Sequence, residues 1–189
     1  TNSDSMLGFL PPFHSFGLSV TIVFPACAAI RTVYHANPTE SQMIARVSEL
    51  YKPTILLTTP TFLQGILSRG EKEQVENYRL IITGAEKCPE SVYETVAKTC
   101  PNAKVLEGYG ITECSPVVSV NNETCPVPGS IGEVLPSIEY IIVNTDTNEL
   151  ALTNETGMLL VRGDSIFSGY LNYDGGSPFI EYQNKTYYK

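Results

Sequence analysis

The 189-residue sequence has no tryptophan and only two histidines, and it is poor in positive charge. Its 12 lysines and arginines stand against 20 aspartates and glutamates, which gives a formal net charge of −8. The basic residues form no cluster along the chain. Because nucleic acids and anionic membrane surfaces are bound through clustered positive charge, the sequence predicts no nucleic-acid partner and no direct membrane contact.

Cysteine is sparse and irregularly placed. The five cysteines are an odd number, and no two of them form a CxxC pair. This pattern favours reduced, incidental thiols over a disulfide framework or a zinc site, and it predicts a cytoplasmic location. Long apolar runs are lacking too, since residues 18–30 are interrupted by Pro25 and are too short to span a bilayer. We therefore predict a buried helix over residues 16–27.

What the sequence does contain is a regular alternation of strand-like and helix-like segments. Strands are predicted to begin near residues 54, 79 and 104, about 25 residues apart, with a helix between each pair. Two earlier strands are expected over residues 7–11 and 29–35. This is the rhythm of a βαβαβ unit, so we predict an α/β fold with a parallel sheet flanked by helices.

One of the predicted helices covers residues 37–52. Asn37 followed by Pro38 and Glu40 is typical of a helix start. Four apolar residues then recur at the spacing of one helix face: Met43, Ile44, Val47 and Leu50. The segment is therefore expected to form an amphipathic helix with these four side chains on its apolar face.

The pattern changes near residue 115, where helical periodicity stops. Short β-type runs follow, separated by turn residues, at 117–120, 130–134, 138–143 and 157–162. They predict a small antiparallel sheet or barrel appended to the α/β part. We accordingly divide the chain into an α/β subdomain over residues 1–115 and an antiparallel β subdomain over residues 116–189.

Three small, polar loops follow the predicted parallel strands. They cover residues 58–60, 83–86 and 107–113. Because ligands of open α/β sheets bind beyond the carboxyl ends of the strands, these loops predict a binding cleft at that edge.

The loop after the last of these strands has the most concentrated chemistry, EGYGITE at residues 107–113. We expect the strand to end before it, with its two glycines letting backbone amides approach a ligand. Tyr109 offers a flat face for stacking, and Thr112 with Glu113 suits a phosphate and its Mg²⁺. A surface turn of no function is the alternative. His14 lies between aromatic residues, and a histidine in such a setting is, in isolation, more often a packed core residue than a catalyst.

Together these motifs resemble the adenylate-forming superfamily, which contains acyl-CoA synthetases, luciferases and peptide-synthetase adenylation domains. Five ordered matches cover most of the chain: LPPFHSFG (10–17), GYGITE (108–113), GSIG (129–132), GMLLVRG (157–163) and SGYLN (168–172). The resemblance implies the fold of an acyl-CoA synthetase N-terminal domain. A dinucleotide-binding fingerprint is excluded because no third glycine follows Gly110 at the required spacing.

A narrower resemblance rests on three segments: TPTFL (59–63), GAEK (84–87) and LEGYGITECSPVVS (106–119). They look like the acyl-[acyl-carrier-protein] synthetase part of the bifunctional 2-acylglycerophosphoethanolamine acyltransferases. This likeness implies fatty acid and acyl carrier protein as partners, with a lysophospholipid used by another domain of a longer parent. Such a parent could meet the cytoplasmic membrane through its other domains.

The resemblance also assigns roles in nucleotide binding. Tyr109 is expected to stack on adenine, Glu107 to lie near the adenine amino group, and Gly108 and Gly110 to line the nucleotide. Three residues are expected on the opposite side of the ring: Gly84, Ala85 and Glu86.

Three residues are implied as catalytic. Thr112 is expected to contact the α-phosphate, Glu113 to ligate Mg²⁺, and His14 to lie beside the fatty-acid carboxylate. ATP and Mg²⁺ are the implied cofactors. The implied reaction joins a fatty acid to AMP, with release of pyrophosphate, and then transfers the acyl group to a carrier thiol. Two alternatives stay open, a long-chain acyl-CoA synthetase and a non-catalytic nucleotide-binding or interaction domain.

Several motifs of that superfamily are not found in the chain. They are the Ser/Thr/Gly-rich phosphate loop, the Thr-Gly-Asp that holds the ribose, and the C-terminal domain with its catalytic lysine. The sequence is therefore expected to be an internal segment of a synthetase, truncated in its β subdomain and unable to catalyse the reaction by itself.

Overall fold

A computed structural model describes residues 4–189, and most of this part of the chain surrounds a seven-stranded sheet. The strands are β1 Ser5–Gly8, β2 Arg31–Tyr34, β3 Ile55–Thr58, β4 Leu80–Thr83, β5 Lys104–Gly110, β6 Val117–Val120 and β7 Glu133–Val134. They lie in the order β2-β1-β3-β4-β5-β6-β7. Strands β1 to β5 are parallel, and β6 and β7 join the sheet in antiparallel pairing.

Helices connect the parallel strands. Helix α1 runs through three consecutive segments, Ser15–Gly17, a π-helical stretch at Leu18–Val23, and Phe24–Cys27. The other helices are α2 Ser41–Tyr51, α3 Pro60–Arg69, α4 Lys72–Val75 and α5 Glu90–Thr99. Within residues 4–189, none of the helices combines the length and apolar character needed to cross a membrane.

The parallel α/β fold is confirmed. All four residues of β3 are buried, as expected for a strand covered on both faces. Helix α5 packs on the sheet through Val92, Val96 and the following Cys100, which are at most 2% exposed. Removing these apolar side chains from water, together with those of α3, stabilises the sheet and so fixes the carboxyl ends of its strands.

The predicted antiparallel sheet is confirmed as well. It has four strands, β8 Glu139–Val143, β9 Met158–Arg162, β10 Phe179–Tyr182 and β11 Lys185–Tyr188, in the order β10-β11-β9-β8. A small buried cluster joins it to the larger sheet: Cys114, Val118, Ile138 and Val161. The division at residue 115 stays a prediction. Two of the runs predicted for the small sheet, 117–120 and 130–134, instead join the larger sheet as β6 and β7, because β6 pairs with the end of β5.

Helix α1 is less buried than predicted. Its position matches residues 16–27, but Leu18, Val23 and Phe24 are 46 to 50% exposed. The reason is that the helix packs on the sheet through one side only, where Val20 and Thr21 are buried. The apolar sequence therefore predicts the position of the helix correctly, but it does not predict that the outer face is exposed.

Helix α2 begins at Ser41, later than the sequence predicts. The Asn37 side chain accepts a hydrogen bond from the Thr39 amide, which closes a turn, and Glu40 has a non-helical backbone. The predicted apolar face is also partly wrong, because Met43 and Leu50 are exposed. Ser48 is buried in their place, since its hydroxyl is hydrogen-bonded to the Ile44 carbonyl and the Tyr78 hydroxyl.

Candidate functional site

An open cleft of about 780 Å³ lies beyond the carboxyl ends of β3, β4 and β5. Eight of the ten predicted site residues line it: His14, Gly84, Ala85, Gly108, Tyr109, Gly110, Thr112 and Glu113. Apolar side chains form much of the remaining wall: Phe16, Val20, Phe24, Leu57, Ile82, Val120 and Leu135. The cleft therefore combines a small polar cluster with an extended apolar surface.

Tyr109 lies in a strand and not in the loop that was predicted. Strand β5 continues to Gly110 because its last residues pair with β6, Gly108 with Val120 and Tyr109 with Ser119. The register shifts between Tyr109 and Gly110, and the loop begins only after that point. Tyr109 lines the cleft, and the residue is 37% exposed, so part of its surface is free to contact a ligand.

The glycines of this strand serve packing. A Cβ atom on Gly110 would lie 2.0 Å from the carbonyl oxygen of Pro116, so only glycine allows the chain to return this closely. The expectation that Gly110 lets the backbone approach a ligand stays a prediction, since Gly110 also lines the cleft. Gly84 has more room, because the corresponding position is 3.4 Å from the ring of Phe16.

Two walls of the cleft meet at a pair of hydroxyl groups. The Oγ of Ser15 and the Oγ1 of Thr112 are 3.0 Å apart and hydrogen-bonded. His14 is the N-cap of α1, where its Nδ1 accepts the Phe16 amide proton at 3.2 Å. In the neutral ring this contact leaves the proton on Nε2. Sequence reasoning missed Ser15, although its position directly after His14 was the available signal.

Glu113 is held at the cleft by the segment that follows β9. Its Oε1 accepts a hydrogen bond from the Tyr170 hydroxyl at 2.7 Å, and its backbone carbonyl accepts one from the Phe167 amide at 2.8 Å. Hydrogen bonds with Tyr188 and then with Glu113 raise the pKa of the Tyr170 phenol. A phenol is protonated at neutral pH in any case, and this shift keeps Tyr170 a donor at alkaline pH as well.

Glu107 and Glu86 do not line the cleft. The Glu107 carboxylate is buried and accepts hydrogen bonds from the Tyr93 hydroxyl, the Gly129 amide at 2.6 Å and the Cys88 amide at 3.3 Å. Burial, followed by the hydrogen bond to Glu107, raises the pKa of Tyr93. Glu86 is exposed and accepts a hydrogen bond from the Thr61 hydroxyl at 2.6 Å.

Cys114 should make the free energy of unfolding depend on pH. Burial, with a smaller effect of Glu113, raises the pKa of its thiol from the ordinary 9.0 to about 11. Between these values the unfolded chain loses the proton while the folded chain keeps it, so the free energy of unfolding should fall as pH rises from 9.0 to about 11. Urea denaturation across this range should show a smaller fall for Cys114→Ala than for the wild type. Equal slopes would contradict the assignment to Cys114.

Most of the sequence matches a known protein family. The model of the family described as AMP-binding enzyme matches residues 1–171. Luciferin 4-monooxygenase of Photinus pyralis is 29% identical over 170 residues, which are 89% of this chain and 30% of the luciferase. Long-chain-fatty-acid–CoA ligase of Bacillus subtilis is 28% identical over 179 residues, 90% of this chain and 30% of the ligase. The chain thus spans about a third of the length of these relatives.

Solved structures show the same architecture. The long-chain-fatty-acid-CoA ligase FadD1 from Archaeoglobus fulgidus superposes with a TM-score of 0.84 at 21% identity, covering 100% of this chain and 40% of that protein. ATP-bound MatB from Rhodopseudomonas palustris also gives a TM-score of 0.84, at 25% identity, covering 100% of this chain and 37% of MatB.

Proposed function

The chain belongs to the AMP-binding enzyme family, and from this premise we propose that it binds the adenylate in an enzyme that activates a carboxylic acid with ATP. The observation that supports this proposal is the composition of one cleft. Tyr109, Thr112, Glu113 and His14 all line it, beside an apolar wall. A nucleotide, its phosphates and an acid can thus be bound next to one another.

The adenine is proposed to stack on the exposed part of Tyr109. Gly84 and Ala85 line the same cleft and supply a flat backbone surface for the other side of the ring, with Glu86 next to them. For Glu107 we propose a supporting role, because its carboxylate is already bonded to three donors of the protein. It holds the chain around Gly129 against β5, two residues before Tyr109.

The phosphate end of the nucleotide is assigned to Thr112 and Glu113. The Thr112 hydroxyl can turn from Ser15 to an α-phosphate oxygen. Within residues 4–189 there is no group of three or more His, Cys, Asp or Glu side chains that could hold a metal. A single carboxylate still suits Mg²⁺, which completes its ligands with substrate phosphates and water. When bound by Glu113, Mg²⁺ would offset the negative charge of the phosphates.

The proposed acid is a fatty acid. Its carboxylate would lie beside Nε2 of His14, and its chain along the apolar wall formed in part by Phe16 and Val20. A carboxylate oxygen attacks the α-phosphorus of ATP, and the bond from that phosphorus to the bridging oxygen breaks with release of pyrophosphate. A thiol then attacks the acyl carbonyl carbon, and AMP leaves. Positioning of the two substrates in one cleft lowers the barrier.

Two thiol acceptors are proposed. The narrower sequence resemblance favours acyl carrier protein, within an acyl-[acyl-carrier-protein] synthetase/2-acylglycerophosphoethanolamine acyltransferase whose other domain would use the lysophospholipid. The printed names of the ligases among the relatives favour coenzyme A, as in a long-chain acyl-CoA synthetase. A competition assay of the enzyme that contains this chain, with coenzyme A against holo acyl carrier protein, separates the two.

Replacing Tyr109 by alanine tests the nucleotide assignment. Loss of base–aromatic stacking should weaken binding by about 1–3 kcal/mol. Titration calorimetry of the chain with AMP, and with a non-hydrolysable fatty-acyl-adenylate mimic, measures the effect. Tyr109→Phe is the matched control and should bind like the wild type because it keeps the ring. Unchanged binding by Tyr109→Ala would contradict the proposal that adenine stacks on Tyr109.

A further inference from the structure

Tyr170 lies outside the lining of the cleft but contacts its acidic residue. Its hydroxyl donates to Oε1 of Glu113 at 2.7 Å, and no hydrogen bond within residues 4–189 engages Oε2. We propose that Tyr170 is a positioning residue, which turns the Glu113 carboxylate so that Oε2 faces a divalent cation in the cleft. This inference rests on the proposed function, which gives Glu113 the metal.

The segment that carries Tyr170 is fastened to the turn that carries Glu113. The Ser115 hydroxyl donates to the Ser165 carbonyl at 2.8 Å, and the Phe167 amide donates to the Glu113 carbonyl at 2.8 Å. With the hydrogen bond from Tyr170, three contacts join two short stretches that are about 50 residues apart in sequence. The tyrosine and the carboxylate are thus held at a fixed separation.

The Tyr170 ring is itself held by aromatic neighbours. Its centroid is 4.8 Å from that of Phe167 and 5.3 Å from that of Tyr173, in edge-to-face geometry. Its hydroxyl is also 3.4 Å from that of Tyr188, and the Tyr188 ring packs on Phe167 and Phe179. Because Phe179 and Tyr188 belong to β10 and β11, the small antiparallel sheet sets the position of the tyrosine.

A hydrogen bond to one carboxylate oxygen suits metal binding by the other. A glutamate has several rotatable bonds, and a free one must be ordered before it can bind an ion. Carboxylates that ligate metals are commonly hydrogen-bonded by a neighbouring residue, and loss of that partner typically lowers metal affinity about 10- to 100-fold. If the hydroxyl instead competed with the cation for the carboxylate, its removal would raise the affinity. The two roles predict opposite signs.

The test is Tyr170→Phe, which keeps the ring and its aromatic contacts and removes the donor. Calorimetric titration of the chain with ATP is repeated at increasing Mg²⁺ and in EDTA. The Mg²⁺ concentration for half-maximal enhancement of ATP binding should rise about 10-fold or more. Tyr173→Phe is the matched control, because it removes a hydroxyl from the adjacent ring, and it should leave the Mg²⁺ dependence unchanged.

Two further variants make the outcome unambiguous. In Glu113→Gln the Mg²⁺ enhancement should be lost, and adding Tyr170→Phe to it should have no further effect. A Mg²⁺ dependence of Tyr170→Phe equal to that of the wild type, or a stronger one, would overturn the positioning role while leaving the proposed function intact. Absence of AMP binding in EDTA by the enzyme that contains this chain would instead overturn the proposed function, and this inference with it.

Discussion

Gly110→Ala should destabilise the protein by about 3 kcal/mol and abolish nucleotide binding. The added Cβ would lie 2.0 Å from the Pro116 oxygen, 2.8 Å from the Pro116 carbonyl carbon and 3.0 Å from Cα of Val117. All three are backbone atoms, which a rotamer change cannot move away. The two strands would have to separate, and this would displace Tyr109 from the cleft.

Urea denaturation and AMP titration measure both effects. Gly84→Ala is the matched control in the same cleft, because its Cβ would be 3.4 Å from a side chain, the ring of Phe16. Its effect on stability should be about 1 kcal/mol or less. A Gly110→Ala protein that unfolds at the urea concentration of the wild type would refute the packing explanation.

The second large effect is expected for Glu107→Ala, which should lower the free energy of unfolding by about 3 kcal/mol. The substitution removes the acceptor of the Tyr93 hydroxyl and of the Gly129 and Cys88 amides. A buried donor left without a partner keeps its full cost of desolvation, which explains the size of the effect. The part of the chain near Gly129 should also detach from β5 and become accessible to protease.

Tyr93→Phe provides the graded comparison for this site. It removes one donor and keeps the carboxylate with its two backbone donors, so its effect on stability should be smaller than that of Glu107→Ala. If Glu107→Ala were as stable as the wild type and lost only AMP affinity, Glu107 would act on the adenine directly, and the structural role would be wrong.

The parallel sheet and the location of the cleft could be predicted from sequence because they depend on local patterns. Strand spacing and buried runs such as β3 are properties of short segments. The end of β5 is different, since residues 108–110 are extended only because β6 pairs with them. The hydrogen-bond partners of the Glu107 side chain also could not be predicted from local sequence, because Tyr93 and Gly129 belong to other segments of the chain.

The helices show a similar limit. Periodicity identifies an apolar face but does not say which neighbour covers it. Ser48 is buried because the Tyr78 hydroxyl, 30 residues later, is its partner, and no local pattern of α2 contains that information. Leu50, on the predicted apolar face, is 72% exposed. The candidate site residues follow from the motifs, and the position of Ser15 next to His14 is a sequence signal too. The contact of Tyr170 with Glu113 depends on the tertiary structure, because the two residues are 57 positions apart.

The mixed pairing of β5 bears on the order in which the protein acquires its cleft during synthesis. The parallel half of the strand, as far as Glu107, finds its partner β4 among residues already made. The part of β5 that contains Tyr109 can pair only after Val120 has been synthesised. Tyr170, whose hydroxyl is hydrogen-bonded to Glu113, is synthesised 57 residues after Glu113. A nascent chain can therefore form the central parallel sheet well before the cleft and its contacts are complete.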